Sequence, residues 1–374
     1  MAEISYLAAP VHVWWDITSQ CNFTCRHCYS RSGQPSKQEL TTQEVLDVIT
    51  ELKAMQVGFV YVLGGEPLIR PDFAAILTSF KENDIPLMLN TNGWFVDPAW
   101  AKQLAASSVR HLRFSLDGAT PETHDKFRSK IGSFKRVIRG IELCREAGVP
   151  RISCSFTMTK ENVQDIAPTV ALLVEYGVDA VQFGPIANTG RATDYPNLVL
   201  NAVDTQNIAS VLAQCITAYG NRISIYSVDG TYDKPCTQCV KKGLGKPAFM
   251  GCQAGRTCCC IDWDGNVIPC LLWREPVAGN VRQNSVRKIW ETSELFHNLR
   301  RHRGEDHVEC RACFYSDVCA RECPLSESQV EYDSERRTER VKMLTAKVKG
   351  NLAACVTLDG CPRKACKVLP ESSL

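Results

Sequence analysis

Three cysteines lie close together near the start of the chain, at Cys21, Cys25 and Cys28. Their spacing, C-x3-C-x2-C, lets one loop present three thiolates to an iron–sulfur cluster, and cysteine thiolates are the usual ligands of such clusters. A four-iron cluster would then keep one iron open for a small molecule. Zinc or inert buried thiols are alternatives, with His27 as a fourth zinc ligand on spacing alone. We interpret His27 as a residue beside the site.

The composition indicates a globular protein of a reducing compartment. The chain has 374 residues, enough for one large domain with an appendage or for two domains. Its formal net charge is +2, so charge gives no argument for nucleic acid or an anionic membrane as a partner. Twenty cysteines, without a secretory signal or a long apolar span, predict a cytoplasmic protein whose clustered thiols serve metal or redox chemistry.

The elements that carry the cysteine loop alternate between short apolar strands and amphipathic helices, from about residue 12 to residue 187. Such alternation predicts a parallel sheet with helices packed outside it. The six strand–helix steps end near residue 225, short of a complete barrel, so we expect an α/β fold with a partial (β/α)6 TIM-like barrel. One of its helices is predicted to begin at Pro71 and another to end at Gly148.

Polar residues follow several predicted strands, at the edge where such barrels hold their active sites. Residues 64–67 read Gly-Gly-Glu-Pro and follow the second strand. Glycines let the backbone approach a ligand, and carbonyls or a carboxylate there can accept from an ammonium. Residues 90–93 follow the third strand and residues 115–118 the fourth. Alone, the Gly-Gly-Glu-Pro segment is also compatible with a tight turn.

A second cysteine system follows residue 228, where Gly and Pro increase and helical periodicity weakens. We predict domains over residues 1–230, 231–340 and 341–374, the last a helix with a cysteine-containing tail. The second domain shows C-x12-G-x4-C and then C-x2-C-x5-C-x3-C, and the latter block alone is equally compatible with a zinc ribbon. Cys236 and Cys239 form a further pair to which we assign no role.

Together these motifs resemble those of the radical S-adenosylmethionine (radical SAM) enzymes that carry a C-terminal SPASM domain, as in peptide-modifying maturases. The cysteine triplet and the Gly-Gly-Glu-Pro segment are similar to the first domain, and seven later cysteines to the small α+β SPASM domain. The resemblance implies that SAM binds the open iron at Cys21, Cys25 and Cys28 and is cleaved to a 5′-deoxyadenosyl radical, which takes a hydrogen atom from the substrate. It also implies three 4Fe–4S clusters, two of them auxiliary.

The resemblance implies the ligands of both auxiliary clusters. The first cluster has four cysteine ligands: Cys252, Cys258, Cys270 and Cys323. Because three cysteines stand in a row, Cys259 and Cys260 remain alternatives to Cys258. The second cluster has Cys310, Cys313 and Cys319 and one later cysteine as ligands, and we choose Cys355 because it comes first in the chain. Cys361 and Cys366 are alternatives to Cys355.

The resemblance also implies a SAM pocket. Its candidate residues are Gly64, Gly65, Glu66, Pro67, Asn92, Ser115, Asp117, Arg128 and Tyr29. Residues 64–67 would hold the SAM amino group, and the polar residues after the third and fourth strands would face the ribose. Arg128 would bind the SAM carboxylate, because its planar fork suits carboxylates, unless it is a solvated helix arginine. Tyr29 would pack near the adenine or shield the cluster.

The substrate is open between a peptide and a small molecule. Crosslinking, oxidation or epimerisation of a peptide is one hypothesis, and a sugar or aminocyclitol dehydrogenase or epimerase, or a tetrapyrrole-modifying enzyme, is the other. The cysteine loop begins by residue 21, so we expect no leader-binding domain before it and a separate carrier protein or direct docking for a peptide. A flavodoxin or ferredoxin would supply electrons. A zinc-stabilised binding module without catalysis is the alternative from another class.

Overall fold

The computed structural model describes residues 7–227 and 252–301. Ten strands of this part form one sheet: β1 (His12–Asp16), β2 (Phe59–Leu63), β3 (Leu87–Thr91), β4 (Val109–Ser115), β5 (Ile152–Met158), β6 (Ala180–Pro185), β7 (Ser224–Ser227), β8 (Cys258–Ile261), β9 (Asn266–Ile268) and β10 (Gly279–Asn280). Their order is β10-β9-β8-β1-β2-β3-β4-β5-β6-β7. Strands β1 to β7 are parallel, and this confirms the predicted α/β fold with a partial barrel.

Helices connect the parallel strands and cover one face of the sheet. They are α1 (Thr42–Ala54), α2 (Phe73–Glu82), α3 (Pro98–Ala106), α4 (Pro121–Arg128), α5 (Ser133–Glu146), α6 (Ile166–Glu175) and α7 (Ala202–Tyr219), followed by α8 (Val286–Thr292) and α9 (Glu294–Arg301). Among the residues that the structure describes, no helix has the length and apolar character needed to cross a bilayer.

Alternation along the strands separates an apolar outer face from a mixed inner face. Val13 and Trp15 of β1 are fully buried in the main hydrophobic core, together with Val60 and Val62 of β2. Successive strand side chains point to opposite faces, so the residues between them lie on the inner face, where the barrel encloses its lumen. Burial of the outer face against α1 and α2 therefore fixes which side chains can reach the lumen.

Local signals at the helix ends explain where the helices begin and end. Thr41 caps α1 with a reciprocal capping box to Glu44, which satisfies two backbone N–H groups. The predicted start of the next helix is wrong: α2 begins at Phe73, because Asp72 is its N-cap and Pro71 lies before the cap. Gly148 follows the end of α5 with φ +83°, the left-handed conformation that terminates helices.

Strands of the cysteine-rich region continue the barrel sheet. β8 pairs in parallel with β1, in a register that sets His12 opposite Cys258 and Trp14 opposite Cys260. β9 and β10 extend this edge as antiparallel strands. Residues 253–301 thus belong to the same compact unit as the parallel strands. The domain limits predicted near residues 230 and 340 lie outside the described residues and stay predictions.

Candidate active site

The cysteine loop leaves β1 at the carboxyl edge of the sheet and folds back on itself. The Cys21 N–H donates to Gly33 O (2.9 Å), and the Gly33 N–H donates to Ser19 O (3.0 Å). These bonds close the loop, so that Cys21, Cys25 and Cys28 line one cavity of about 190 Å³. The structure thus brings the three predicted thiols together at the edge where parallel barrels hold their active sites.

Arg191, which follows β6, holds the cysteine loop in place through hydrogen bonds to its carbonyl groups. Its guanidinium donates to Cys25 O and to Ser32 O, each at 2.8 Å, and its backbone N–H donates to Cys28 O at 2.8 Å. The preceding Gly190 lies so close to the loop that a Cβ there would be 2.2 Å from Tyr29 O. No motif in the sequence pointed to Arg191, because its role depends on contacts across the barrel.

The two glycines of residues 64–67 pack against the start of the cysteine loop. The Gly65 N–H donates to Thr18 O (2.7 Å) and the Glu66 N–H to Gln20 O (2.9 Å). A Cβ on Gly64 would lie 2.4 Å from Thr18 O, and Gly64 has φ +123°, which favours glycine. Both glycines also line the cavity, so they serve loop packing and remain candidates for holding the SAM amino group.

The side chain of Glu66 points into the protein interior, behind the residues that line the cavity. Its side chain is fully buried and accepts hydrogen bonds from Thr91 Oγ1 (2.8 Å), the Asn92 N–H (2.7 Å) and the Leu68 N–H (3.2 Å). Burial raises its pKa to about 7, although the three donors act in the opposite direction. The carboxylate therefore ties the end of β2 to the end of β3. Pro67 is buried as the first residue of a short 3-10 turn.

Asn92 connects the end of β3 to the cysteine loop. Its Nδ2 donates to Asn22 Oδ1 at 2.9 Å and lies 4.0 Å from Cys21 Sγ, while its Oδ1 accepts from the Trp94 N–H at 3.0 Å. Asn92 lines the cavity, as predicted for a residue of the SAM pocket. The amide of Asn22 leaves its Nδ2 buried without a partner within the described part of the chain.

Arg128 is buried beside the thiols, which rules out a solvated helix arginine. It lies at the end of α4 with 8% exposure, and its Nε donates to Asp117 while its Nη1 lies 3.9 Å from Cys25 Sγ. Asp117 is fully buried and also accepts from the Thr157 N–H (2.7 Å). Burial raises the pKa of Asp117, and the Arg128 charge opposes that shift. Asp117 therefore positions Arg128, which lines the cavity itself.

The wall opposite the cysteine loop carries hydroxyl and amide groups. It is formed by inner-face residues of three strands, β3, β4 and β5: Asn90, Ser115, Ser155 and Thr157. Ser115 was a predicted site residue, whereas the two residues of β5 were not. The alternation of polar and apolar residues in β5 is the sequence signal that could have identified them.

Tyr29 lines the cavity from the β1 side. Its hydroxyl donates to Asp16 Oδ1 at 2.8 Å, and Arg274 pairs with the other oxygen of the same carboxylate. The guanidinium of Arg274 also lies over the Trp263 ring at 4.2 Å. Burial and the Asp16 charge both raise the pKa of Tyr29, so its hydroxyl stays protonated and donates. These contacts connect the cysteine loop to the cysteine-rich region.

Strand alternation separates the three consecutive cysteines of β8. Cys258 lies opposite His12 and Cys260 opposite Trp14, on the inner face. Cys259 is fully buried in the main hydrophobic core of the outer face. Cys252 and Cys270 are half-buried. The remaining predicted ligands, Cys310, Cys313, Cys319, Cys323 and Cys355, lie outside the described residues.

The donor set around the cavity fits an iron–sulfur cluster. Three soft thiols line its wall, and thiolate ligands of a cluster each bind a different iron. Burial raises the pKa of Cys21 to about 12, so metal binding must displace its proton. His27 stacks on Phe127 at 4.4 Å, and its Nδ1 is buried without a partner in the described residues. In residues 7–227 and 252–301, no three His, Cys, Asp or Glu side chains are arranged to hold a single metal ion.

The structure is a parallel partial barrel whose first loop brings three thiols into one cavity. Two family models match this chain and define the same class of protein. Residues 15–184 match the radical SAM superfamily, and residues 252–314 match the SPASM iron–sulfur cluster-binding domain. The chain belongs to the radical SAM superfamily and carries a SPASM domain. It is thus a radical SAM/SPASM enzyme, and the two models imply SAM and iron–sulfur clusters as its cofactors.

Relatives of known identity agree with this assignment. The mycofactocin maturase MftC of Mycolicibacterium smegmatis is 32% identical over 85% of this chain and 79% of its own. The AdoMet-dependent heme synthase of Methanosarcina barkeri is also 32% identical, over 85% of this chain and 92% of its own. The fold is shared with SuiB of Streptococcus suis, at a TM-score of 0.71 and 17% identity over 88% of this chain and 76% of that one.

Proposed function

We propose that this protein is a peptide maturase that abstracts hydrogen from a peptide substrate and leads to its crosslinking, oxidation or epimerisation. When bound, a reduced 4Fe–4S cluster and SAM supply the 5′-deoxyadenosyl radical that takes this hydrogen atom. The observation that carries the proposal is the single cavity lined by Cys21, Cys25 and Cys28 together with Gly64 and Gly65. This arrangement gives the cluster three protein ligands and leaves room beside it for a cosubstrate.

Different residues around the cavity are assigned to different groups of the cluster and of SAM. We assign cluster ligation to the three thiols and the amino group of SAM to the backbone at Gly64 and Gly65. Arg128 is the candidate for the carboxylate, because its buried guanidinium lines the cavity and Asp117 holds it in place. Asn92 and Ser115 are candidates for the ribose, since their amide and hydroxyl groups line the same cavity.

We further propose two auxiliary 4Fe–4S clusters in the SPASM domain, so that a loaded chain holds about twelve irons. Cys252, Cys258 and Cys270 are the described members of the first ligand set. These clusters would accept an electron from the substrate radical, and a flavodoxin or ferredoxin would reduce the enzyme. The peptide would reach the cavity on a separate carrier protein or by direct docking.

Support for a peptide comes from the maturase relative MftC and from the fold shared with SuiB, which has been crystallised with its precursor peptide SuiA. A second candidate function is tetrapyrrole modification, because the heme synthase of Methanosarcina barkeri matches this chain over 92% of its own length. Both candidates use the same cavity for SAM. They differ only in what occupies the lumen beside it.

The test is SAM cleavage by anaerobically reconstituted, chemically reduced protein, followed as 5′-deoxyadenosine. We expect cleavage by the wild type and none by Cys25→Ala, because the cluster loses a ligand. Cys215→Ala is the matched control, since Cys215 is buried in α7 and lies outside the cavity. Cleavage by Cys25→Ala would contradict the proposed site.

Substrates are compared in the same assay. Short peptides encoded beside this gene form one set, and Fe-coproporphyrin III represents tetrapyrroles. The peptide proposal predicts that a peptide raises 5′-deoxyadenosine above the uncoupled background. A crosslinked or oxidised product loses hydrogen mass, whereas an epimer keeps its mass and changes its chromatographic retention. Stimulation by the tetrapyrrole alone would replace the peptide proposal with the second candidate.

A further inference from the structure

A second group of polar side chains lies on the inner face of β4, one pleat below the SAM cavity. β4 reads Val-Arg-His-Leu-Arg-Phe-Ser, and its buried Leu112 and Phe114 belong to the outer core. Arg113 therefore shares the inner face with Ser115, a residue of the cavity wall about 7 Å further along the strand. In the sheet, Arg113 lies between Asn90 of β3 and Ser153 of β5.

The Arg113 guanidinium has no acidic partner among the described residues. Its Nε donates to Ser153 Oγ at a long 3.4 Å, and that hydroxyl also contacts His111 Nε2 at 2.5 Å. Burial lowers the pKa of Arg113, and the opposing influences are the Tyr61 hydroxyl and the Cys154 thiol, with no carboxylate involved. His111 is neutral beside it, because burial and the Arg113 charge lower its pKa to about 4.

Three other arginines near the cavity each have protein partners for their charge or their donors. Arg70 pairs with Asp72 and donates to two backbone carbonyls, and Arg128 pairs with Asp117. Arg191 donates to the carbonyls of the cysteine loop. Burial of a cation without an anion costs free energy. A half-buried arginine that faces a lumen without a counter-ion is thus suited to an anion that arrives with a ligand.

An aromatic wall lies on the same inner face, on β1 and β2. Trp14 and Tyr61 are paired in the sheet and stack at 3.8 Å with their planes 5° apart. One pleat below, His12 stacks on Phe59 at 5.0 Å with their planes 6° apart. Tyr61 belongs to both groups, because its hydroxyl and the Arg113 guanidinium interact electrostatically. The lumen thus offers a flat apolar surface beside one cation.

We propose that Arg113 binds a carboxylate of the substrate inside the barrel lumen, while the body of the substrate lies against the Trp14–Tyr61 wall. This inference rests on the proposed function, because it assigns the group that the substrate presents next to the SAM cavity. The guanidinium donates from its two Nη groups to the two carboxylate oxygens, which is the geometry that arginine favours. A peptide C-terminus or acidic side chain and a tetrapyrrole propionate share this chemistry.

The test compares acidic probes with their neutral forms, by isothermal titration of anaerobic holoenzyme without reductant. The peptide probe is Gly-Gly-Phe as free acid and as C-terminal amide. The tetrapyrrole probe is coproporphyrin III as free acid and as tetramethyl ester. A charged hydrogen-bonded pair predicts that the wild type binds the free acid of the matching class about 10- to 100-fold more tightly than the neutral form.

Variants connect this preference to one side chain. Arg113→Gln is expected to remove the preference for the acid, and Arg113→Lys to restore part of it through its charge without the planar fork. Arg110→Gln is the matched control, because Arg110 is an exposed residue of the same strand and should keep the full preference. Thermal unfolding of each variant checks that it is folded.

The class of probe that shows the Arg113-dependent preference identifies the source of the carboxylate. Equal binding of acid and neutral forms by the wild type, or no binding of either acid, overturns the proposal. So does an undiminished preference in both Arg113 variants. Because binding is measured without SAM cleavage, a protein that discriminates the probes but cleaves no SAM would contradict the proposed function and leave the carboxylate site standing.

Discussion

Gly65 and Gln20 are in such close contact that no side chain fits between them: a Cβ on residue 65 would lie 2.0 Å from the Gln20 carbonyl oxygen. Gln20 directly precedes Cys21, so the turn after β2 fixes the start of the cysteine loop. We predict that Gly65→Ala displaces this loop and removes its cluster, because the contact is with rigid backbone. Purified protein should lose about four irons per chain, measured by colorimetric iron analysis.

Gly33→Ala is the control for this prediction. Gly33 belongs to the same loop and exchanges hydrogen bonds with Cys21 and Ser19, yet a Cβ there would meet nothing within 4 Å. We expect its iron content to equal that of the wild type. If Gly65→Ala retained its iron as well, the close contact would have no part in holding the cluster loop.

The buried pair of Asp117 and Arg128 gives a prediction about stability. Removal of one partner leaves an uncompensated buried charge, so Asp117→Asn and Arg128→Met should each lower the free energy of unfolding by about 3–5 kcal/mol. The double variant should lose less than the sum of the two, because neither charge then remains alone. Urea unfolding at neutral pH measures all three variants.

An exposed ion pair is the control for these three variants of the buried pair. Arg139 and Glu142 are paired at 3.1 Å on the surface of α5. Arg139→Met should change the free energy of unfolding by less than about 1 kcal/mol, because exposed pairs contribute little. Additive losses at Asp117 and Arg128 would mean that the two charges do not depend on each other.

The sheet could be predicted because each parallel strand contributes apolar residues to one core. That pattern is local, and so is the spacing of Cys21, Cys25 and Cys28 that predicted the cysteine loop. The return of β8 to β1 could not be predicted, since the register of His12 and Cys258 depends on packing between distant segments. Alternation inside β4 did carry a signal for Arg113, which lies two residues before the predicted Ser115.

Strand ends are harder to interpret from sequence than strands. A polar residue at such an end can face the cavity or tie neighbouring strands together, and the sequence pattern is the same in both cases. Asn92 and Ser115 line the cavity, whereas Glu66 and Asp117 lie behind it and hold Asn92 and Arg128. Only the direction of each side chain distinguishes the two roles.

The alternation of β8 predicts that Cys259 does not bind iron, whereas Cys258 and Cys260 both lie on the inner face. Cys258→Ala should lower the iron content by about four irons per chain if Cys258 is a ligand of an auxiliary cluster. Cys259→Ala should keep all its iron and lose only packing, because Cys259 is fully buried in the outer core. The same iron analysis and a thermal unfolding curve separate these effects. Iron loss in Cys259→Ala alone would reverse the assignment.

Glu66 gives a prediction about pH. Burial raises its pKa from 4.5 to about 7, so the folded state binds this proton more tightly than the unfolded state. Stability from this group is therefore greatest below about pH 4.5, falls as the pH rises toward about 7, and is constant above that. The full change is about 3 kcal/mol in the free energy of unfolding. Glu66→Gln should remove this component of the pH dependence.

The slope of stability against pH is the diagnostic quantity for Glu66→Gln. The glutamine cannot accept all the hydrogen bonds that Thr91, Asn92 and Leu68 donate to the carboxylate, so the variant loses some stability at every pH. That constant loss leaves the slope untouched, whereas removal of the titrating group flattens it. Urea unfolding between about pH 5 and about pH 8 measures the slope, with the exposed Glu146→Gln as control. A variant with the slope of the wild type would show that another buried group titrates in this range.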